Sequence, residues 1–200
     1  MDEPIDLSPV PVPMRWLLTP KDWSVSDGAL TITAGPRTDL FVDPETGVKT
    51  VTAPALTAPL PGDFTLSARV RADLTADFDA GVLMLWANPR AWAKLCLERS
   101  PQGESTIVSV VTRDVSDDCN SFTVDGDHVW LRISRFGGTF AFHAATDGRY
   151  WRLIRLFAHD EAQRMSVGFL AQSPTGDGCG VTFDDIRYSP GRPADLRNGD

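Results

Sequence analysis

The sequence predicts an all-β fold, a sandwich of two packed antiparallel sheets. About a dozen short segments alternate apolar and polar residues, with glycine, proline and Asp-Gly breakers between them. Only residues 158–162 read as a helical turn. Many strands and almost no helix leave a sandwich or a barrel, and the broad hydrophobic strands favour two packed sheets.

The clearest pattern is WLRISRFGGTFAFHAATDGRYWRLIRLF, residues 130–157. Leu131 and Ile133 alternate with Trp130, Arg132 and Ser134 ahead of a Gly137-Gly138 turn. Phe140 and Phe142 then alternate with Ala141 and His143, and Asp147-Gly148 turns the chain into a third strand. One face of this unit is apolar; the other carries Arg132, Ser134 and His143.

The remaining elements follow in order. Prolines at 4, 9, 11 and 13 make residues 1–13 an extended lead-in to a single domain at 14–188. Trp23 to Ser26 and Leu30 to Thr33 flank Asp27-Gly28 as a hairpin. Gly35-Pro36, Asp43-Pro44 and Thr46-Gly47 mark residues 35–50 as a loop. Within it, Asp39, Phe41 and Asp43 either line a pocket or form a partly buried edge.

Beyond the loop, Phe64, Leu66, Ala68 and Val70 face one way, and Thr65, Ser67, Arg69 and Arg71 the other. Gly81 to Trp86 reads as a central strand. In the next strand Ala93, Leu95 and Leu97 oppose Trp92, Lys94, Cys96 and Glu98. Thr106 to Thr112 is β-branched, and residues 113–121 read as a polar loop. Met165 to Gln172 and Val181 to Tyr188 close the domain, leaving residues 189–200 as a polar tail that frays.

Bulk composition narrows the function. The 200 residues suffice for one well-buried core. A net charge of −8 argues against a nucleic-acid partner. No apolar run is long enough to span a membrane, and the acidic, proline-rich start lacks the features of a signal peptide. Three cysteines without CxxC spacing favour a reducing compartment, so the expected location is cytoplasmic. Cys119 and Cys179 lie in turn-like sequence and could meet in space.

Several separated motifs resemble the DUF1349 family, also described by its relation to the yeast regulation-of-enolase protein. They are RWLLTPKDWSVSDGALTITAGPRTDLF, DAGVLMLWANPRAWAKLCLE, SVVTRDVSDD, FHAATDGRYWRLIR and VGFLAQSP, in that order, within residues 14–188. The resemblance implies a concanavalin A-like jelly-roll sandwich, whose fold relatives bind or hydrolyse carbohydrate on the concave sheet. The family's tryptophan-lysine-glutamate strand falls on Trp92, Lys94 and Glu98. Its Ser-Val-Val-Thr strand falls on Ser109 to Thr112, and its aspartate-glycine-tryptophan turn on Asp147, Gly148 and Trp151. Where many relatives have tyrosine, this chain has Phe142-His143.

With the apolar faces turned inward, the opposite faces collect Arg71, Trp86, Lys94, Glu98, Thr112, Arg132 and His143, joined by Arg69, Ser134 and Gln172. Aromatic faces with fixed charged or amide groups suit a saccharide or another small polar ligand. Glu98 either contacts that ligand or pairs with Arg132 or Arg71 to pin strand register. Trp86 is a sugar platform or a sheet-edge aromatic, and His143 a ligand contact or a structural histidine.

Catalysis is not the favoured reading. Glycoside hydrolysis needs two carboxylates, and Glu98 has none beside it on its own strand, so Asp79, Asp184 or Asp185 would have to supply the second. No G-x-S-x-G, H-E-x-x-H or phosphate loop is present. No cofactor or metal is expected: Asp114, Asp117, Asp118 and Asn120 could hold calcium through oxygen ligands, but they lack the EF-hand order and read better as a solvated loop. A protein partner, or a second copy joined through exposed edges, is the remaining alternative.

Overall fold

The computed structural model describes residues 3–197 and Gly199. Sixteen strands follow one another among them. The first six are β1 (Arg15–Leu18), β2 (Asp22–Ser26), β3 (Ala29–Ala34), β4 (Leu40–Val42), β5 (Lys49–Val51) and β6 (Ala55–Ala58). Next come β7 (Phe64–Ala72), β8 (Ala80–Asn88), β9 (Ala91–Arg99), β10 (Ser105–Arg113) and β11 (Val115–Thr123). The last are β12 (His128–Phe136), β13 (Thr139–Ala145), β14 (Arg152–Ala158), β15 (Ser166–Gln172) and β16 (Cys179–Pro190). A single 3₁₀ turn, Ala162–Arg164, lies close to the expected helical turn.

Two seven-stranded antiparallel sheets form the sandwich. The first has the order β1-β6-β15-β8-β9-β10-β11, the second β14-β13-β12-β7-β16-β3-β2. Alternation places the core. Phe64, Leu66, Ala68, Val70, Leu131, Ile133, Phe140 and Phe142 are fully buried, and they meet Ala93, Leu95 and Leu97 of the facing sheet. Removing these side chains from water is the main force holding the sheets together.

A second apolar cluster lies on the outer face of the first sheet. There β4 and β5 form a ribbon whose Leu40 and Val42 pack with Val82, Met84, Trp92, Val108 and Val110. Val42 N–H donates to Ser116 Oγ at 2.9 Å, and Thr38 bridges Ser173. The segment read as a loop at 35–50 therefore contains two strands, and it builds one wall of the site described below.

Other expectations change for physical reasons. Residues 113–121 are mostly the edge strand β11, polar because most of its length faces solvent. Ala55–Ala58 is a fully buried strand whose flanking Pro54 and Pro59 mask it in the sequence. The proline-rich start packs onto the domain: Ile5 pairs with Met14, and Leu7 is 1% exposed within the core. At the other end β16 continues through Pro190, and the tail folds back so that the Leu196 carbonyl meets His143. The cysteines are all free, with Cys119 exposed and Cys179 buried.

Candidate functional site

A cleft of about 530 Å³ opens on the outer face of the first sheet. Lys94 and Glu98 of β9 point into it from the same strand face, with Cys96 between them. Thr106, Val108 and Val110 of β10, Asp118 and Asn120 of β11, and Gln172 of β15 extend the floor. Asp39, Phe41 and Asp43 of the ribbon form one wall, so the pocket-lining reading of these residues is the one the structure adopts. Phe78, Pro101 and Pro174 contribute to the other side.

Lys94 is 1% exposed. Its Nζ donates to Gln172 Oε1 at 2.9 Å and lies 3.9 Å from Asp39 Oδ1. Gln172 Nε2 in turn donates to the Phe78 carbonyl at 3.2 Å, tying the floor to the mouth. Glu98 is only partly buried and makes no hydrogen bond or ion pair with a described residue. Burial pushes its carboxyl up to about 7, helped by Asp39 and Asp118 and opposed by Lys94. Burial likewise raises the Cys96 thiol, which packs beneath as an apolar group.

Phe78 stands at the mouth, 39% exposed, with a left-handed backbone (φ 69°) that a bulky residue rarely adopts. Asp79 holds it there. Its Oδ2 accepts from Thr75 N–H, Thr75 Oγ1 and Ala76 N–H, and its Oδ1 from Ser173 Oγ at 2.7 Å. Such strain gathers at ligand-contacting positions.

The outer face of the second sheet is built differently. Arg69 grips Asp184 through two bonds at 2.6 and 2.8 Å. Trp130 Nε1 donates to Asp185, which also accepts from Arg187. Arg71 meets Asp127 at 3.2 Å. The Arg132 guanidinium stacks 4.3 Å from the Trp151 ring centroid, and His143 beside it is fully buried. His143 Nε2 donates to the Leu196 carbonyl at 2.9 Å, and burial lowers the imidazole to about 4.

Residues 16–191 match the model of DUF1349, a family of proteins of unknown function. The chain belongs to this family. It is 27% identical over 173 residues to regulation of enolase protein 1 of Saccharomyces cerevisiae, covering 85% of this chain and 86% of that protein. A solved, functionally unknown protein from the same yeast superposes with a TM-score of 0.82 at 24% identity, over 88% of this chain and 96% of the other. A GH43 protein from Bacillus licheniformis gives 0.73 at 14% identity, over 88% of this chain but 36% of its own. At these identities the structural likenesses are of fold.

In this DUF1349 chain the residues expected to share one face divide between two. Lys94 and Glu98 converge, with Gln172. Arg71, Arg132 and His143 lie across the sandwich on the other sheet, so neither arginine can pair with Glu98. Trp86 shares a sheet face with Glu98 but sits toward the far end of β8. There it lines a separate apolar pocket of about 210 Å³ with Leu17, Leu18, Leu40 and Met84. Thr112 is buried at the end of β10, its hydroxyl 3.0 Å from Ser116 Oγ beneath the ribbon. The proposed second carboxylates are also engaged elsewhere: Asp79 in the loop, Asp184 and Asp185 on the second sheet. Asp39 and Asp118 are instead the acids whose charge reaches Glu98. Phe78 is not singled out in the sequence, and Asp118 and Asn120 read there only as a loop; their alternation on a strand is the signal that places them in the cleft.

Proposed function

We propose that the protein is a non-catalytic ligand-binding sandwich that holds a short saccharide in the Lys94–Glu98 cleft. The observation that carries this reading is Glu98. A half-buried carboxylate facing an open cleft, without a protein donor among the described residues, has acceptor capacity for ligand hydroxyls. Phe41 and Phe78 supply ring faces, and Asn120 supplies an amide. The sandwich it shares with GH43 glycoside hydrolases supports a carbohydrate as the first class to test.

Calorimetry with neutral xylo-, cello- and malto-oligosaccharides, wild type beside Glu98→Gln, tests it. Saturable binding that weakens at least tenfold in the variant is the expected result. Absence of binding by folded wild-type protein across the panel would remove the saccharide reading. Product analysis on the same mixtures separates binding from hydrolysis, the second reading, which the position of Glu98 near Asp39 and Asp118 favours. A third reading is a regulatory protein-binding module, in line with the name of the yeast relative. It is supported by the exposed edge residues Leu17, Leu18, Trp23 and Val25.

A further inference from the structure

We infer that the cleft selects its ligand by charge: it takes a saccharide bearing a free, protonated amino group and excludes uronates. This rests on the saccharide reading above and names the ligand class within it.

The argument starts from how this chain treats carboxylates beside its strands. Asp184 has Arg69, Asp127 has Arg71, Asp117 has Arg155, Asp185 has Arg187 and Asp114 has Arg90. Glu98 and Asp118 are not paired in this way. Both face the cleft, and neither has an ion-pair partner among the described residues. No arginine lines the cleft.

The lining carries Asp39, Asp43, Glu98 and Asp118 against the single cation Lys94. That cation is already committed, because its ammonium is buried, bonded to Gln172 and within 3.9 Å of Asp39. Two of the acids are occupied as well. Asp43 accepts the N–H groups of Glu45 and Thr46, and Asp39 that of Leu40. Negative charge without a protein partner among the described residues thus falls on Asp118 of β11 and, when ionised, on Glu98 of β9, the two strands that flank β10. An ammonium brings three donors and a positive charge to this spot. A sugar carboxylate brings acceptors and a like charge, which the interface penalises. Burial is the main cause of the upward displacement of the Glu98 carboxyl, with Lys94 opposing it and Asp39 and Asp118 adding to it.

Calorimetry at pH 7 and low salt, with β-1,4-linked trimers of glucosamine, N-acetylglucosamine, glucose and galacturonate, tests the inference on the full chain. The glucosamine trimer is expected to bind at least tenfold more tightly than the N-acetylglucosamine and glucose trimers, and the galacturonate trimer at least tenfold more weakly than glucose. In Asp118→Asn the ratio of glucosamine to glucose affinity should fall at least threefold. Binding of glucose with no glucosamine advantage, or galacturonate equal to glucose, overturns the charge selection and leaves the saccharide reading standing. Binding of none of the four by folded protein overturns both.

Discussion

The two outer faces of this sandwich carry similar polar residues, yet they solve the problem of polar groups on a packed sheet in different ways. On the second sheet most charges have protein partners, Arg69 with Asp184, Arg71 with Asp127 and Arg132 over Trp151, while His143 reaches the Leu196 carbonyl through Nε2 and keeps Nδ1 buried without a hydrogen bond to a described residue. On the first sheet Glu98 is left without a donor above a cleft. A satisfied network specifies structure, whereas a desolvated group left unanswered is a cost to folding that a ligand can relieve. The difference teaches where binding should be sought.

The sharpest way to break the comparison is through pH, because the two faces should respond with opposite sign. Burial lowers His143 from 6.5 to about 4. Between those values the unfolded chain binds a proton that the native one refuses, so stability falls as pH drops through this window. The full displacement corresponds to about 3 kcal/mol. His143→Gln, which keeps an N–H for Leu196, should lose that acid sensitivity. Urea melts from pH 7 to pH 4 that remain parallel to wild type would show that the face is not closed over the imidazole.

Glu98 should act the other way. Its carboxyl rises from 4.5 to about 7, so the native state holds a proton that the unfolded state releases. That contribution is fully present below pH 4.5 and disappears as pH rises through 7. It amounts to about 2 kcal/mol, reduced because Glu98 keeps some solvent contact. Glu98→Gln is therefore expected to be more stable than wild type at pH 8 and closer to it at pH 4.5. A loss of stability at pH 8 would mean that the carboxylate has a structural partner after all.

Ligand affinity gives a third contrast of smaller size. Glu98→Gln should weaken oligosaccharide binding about tenfold, equivalent to roughly 1.4 kcal/mol, whereas His143→Gln should leave it within twofold. Equal losses in titrations of both variants would mean that the two faces are coupled.

How much of this was legible depends on the range of the information. Alternation is local, and it correctly sent Phe64, Leu66, Ala68 and Val70 inward and Lys94, Glu98, Arg132 and His143 outward. Which of two outer faces a residue reaches is not local. It depends on β9 joining β8 and β10 while β12 joins β7 and β13, pairings with no signature in a single strand. The same holds along a strand: Trp86 and Glu98 share a face, but antiparallel register pairs Glu98 with Ala80 and places Trp86 opposite Trp92. Phe78 was invisible for another reason. Its exposure depends on a loop held by Asp79, which the sequence offers as a possible second carboxylate and not as a loop anchor.

The smallest expected effect concerns the best-formed ion pair of the closed face. Arg69 meets Asp184 through Nε and Nη2, and its guanidinium also lies 5.6 Å from the Trp130 ring centroid. Bidentate geometry raises the value of the pair, but about a third of the arginine side chain remains in water, where screening lowers it. A double-mutant cycle with Arg69→Ala and Asp184→Ala should therefore give a coupling of about 1 kcal/mol, decreasing as salt is added. Arg69→Ala should leave oligosaccharide affinity unchanged, because the pair lies across the core from Glu98. A coupling near zero would mean that the second sheet's charges are solvated independently, and its resemblance to a closed network would then lie in the stacking of Arg132 on Trp151 and the burial of His143 alone.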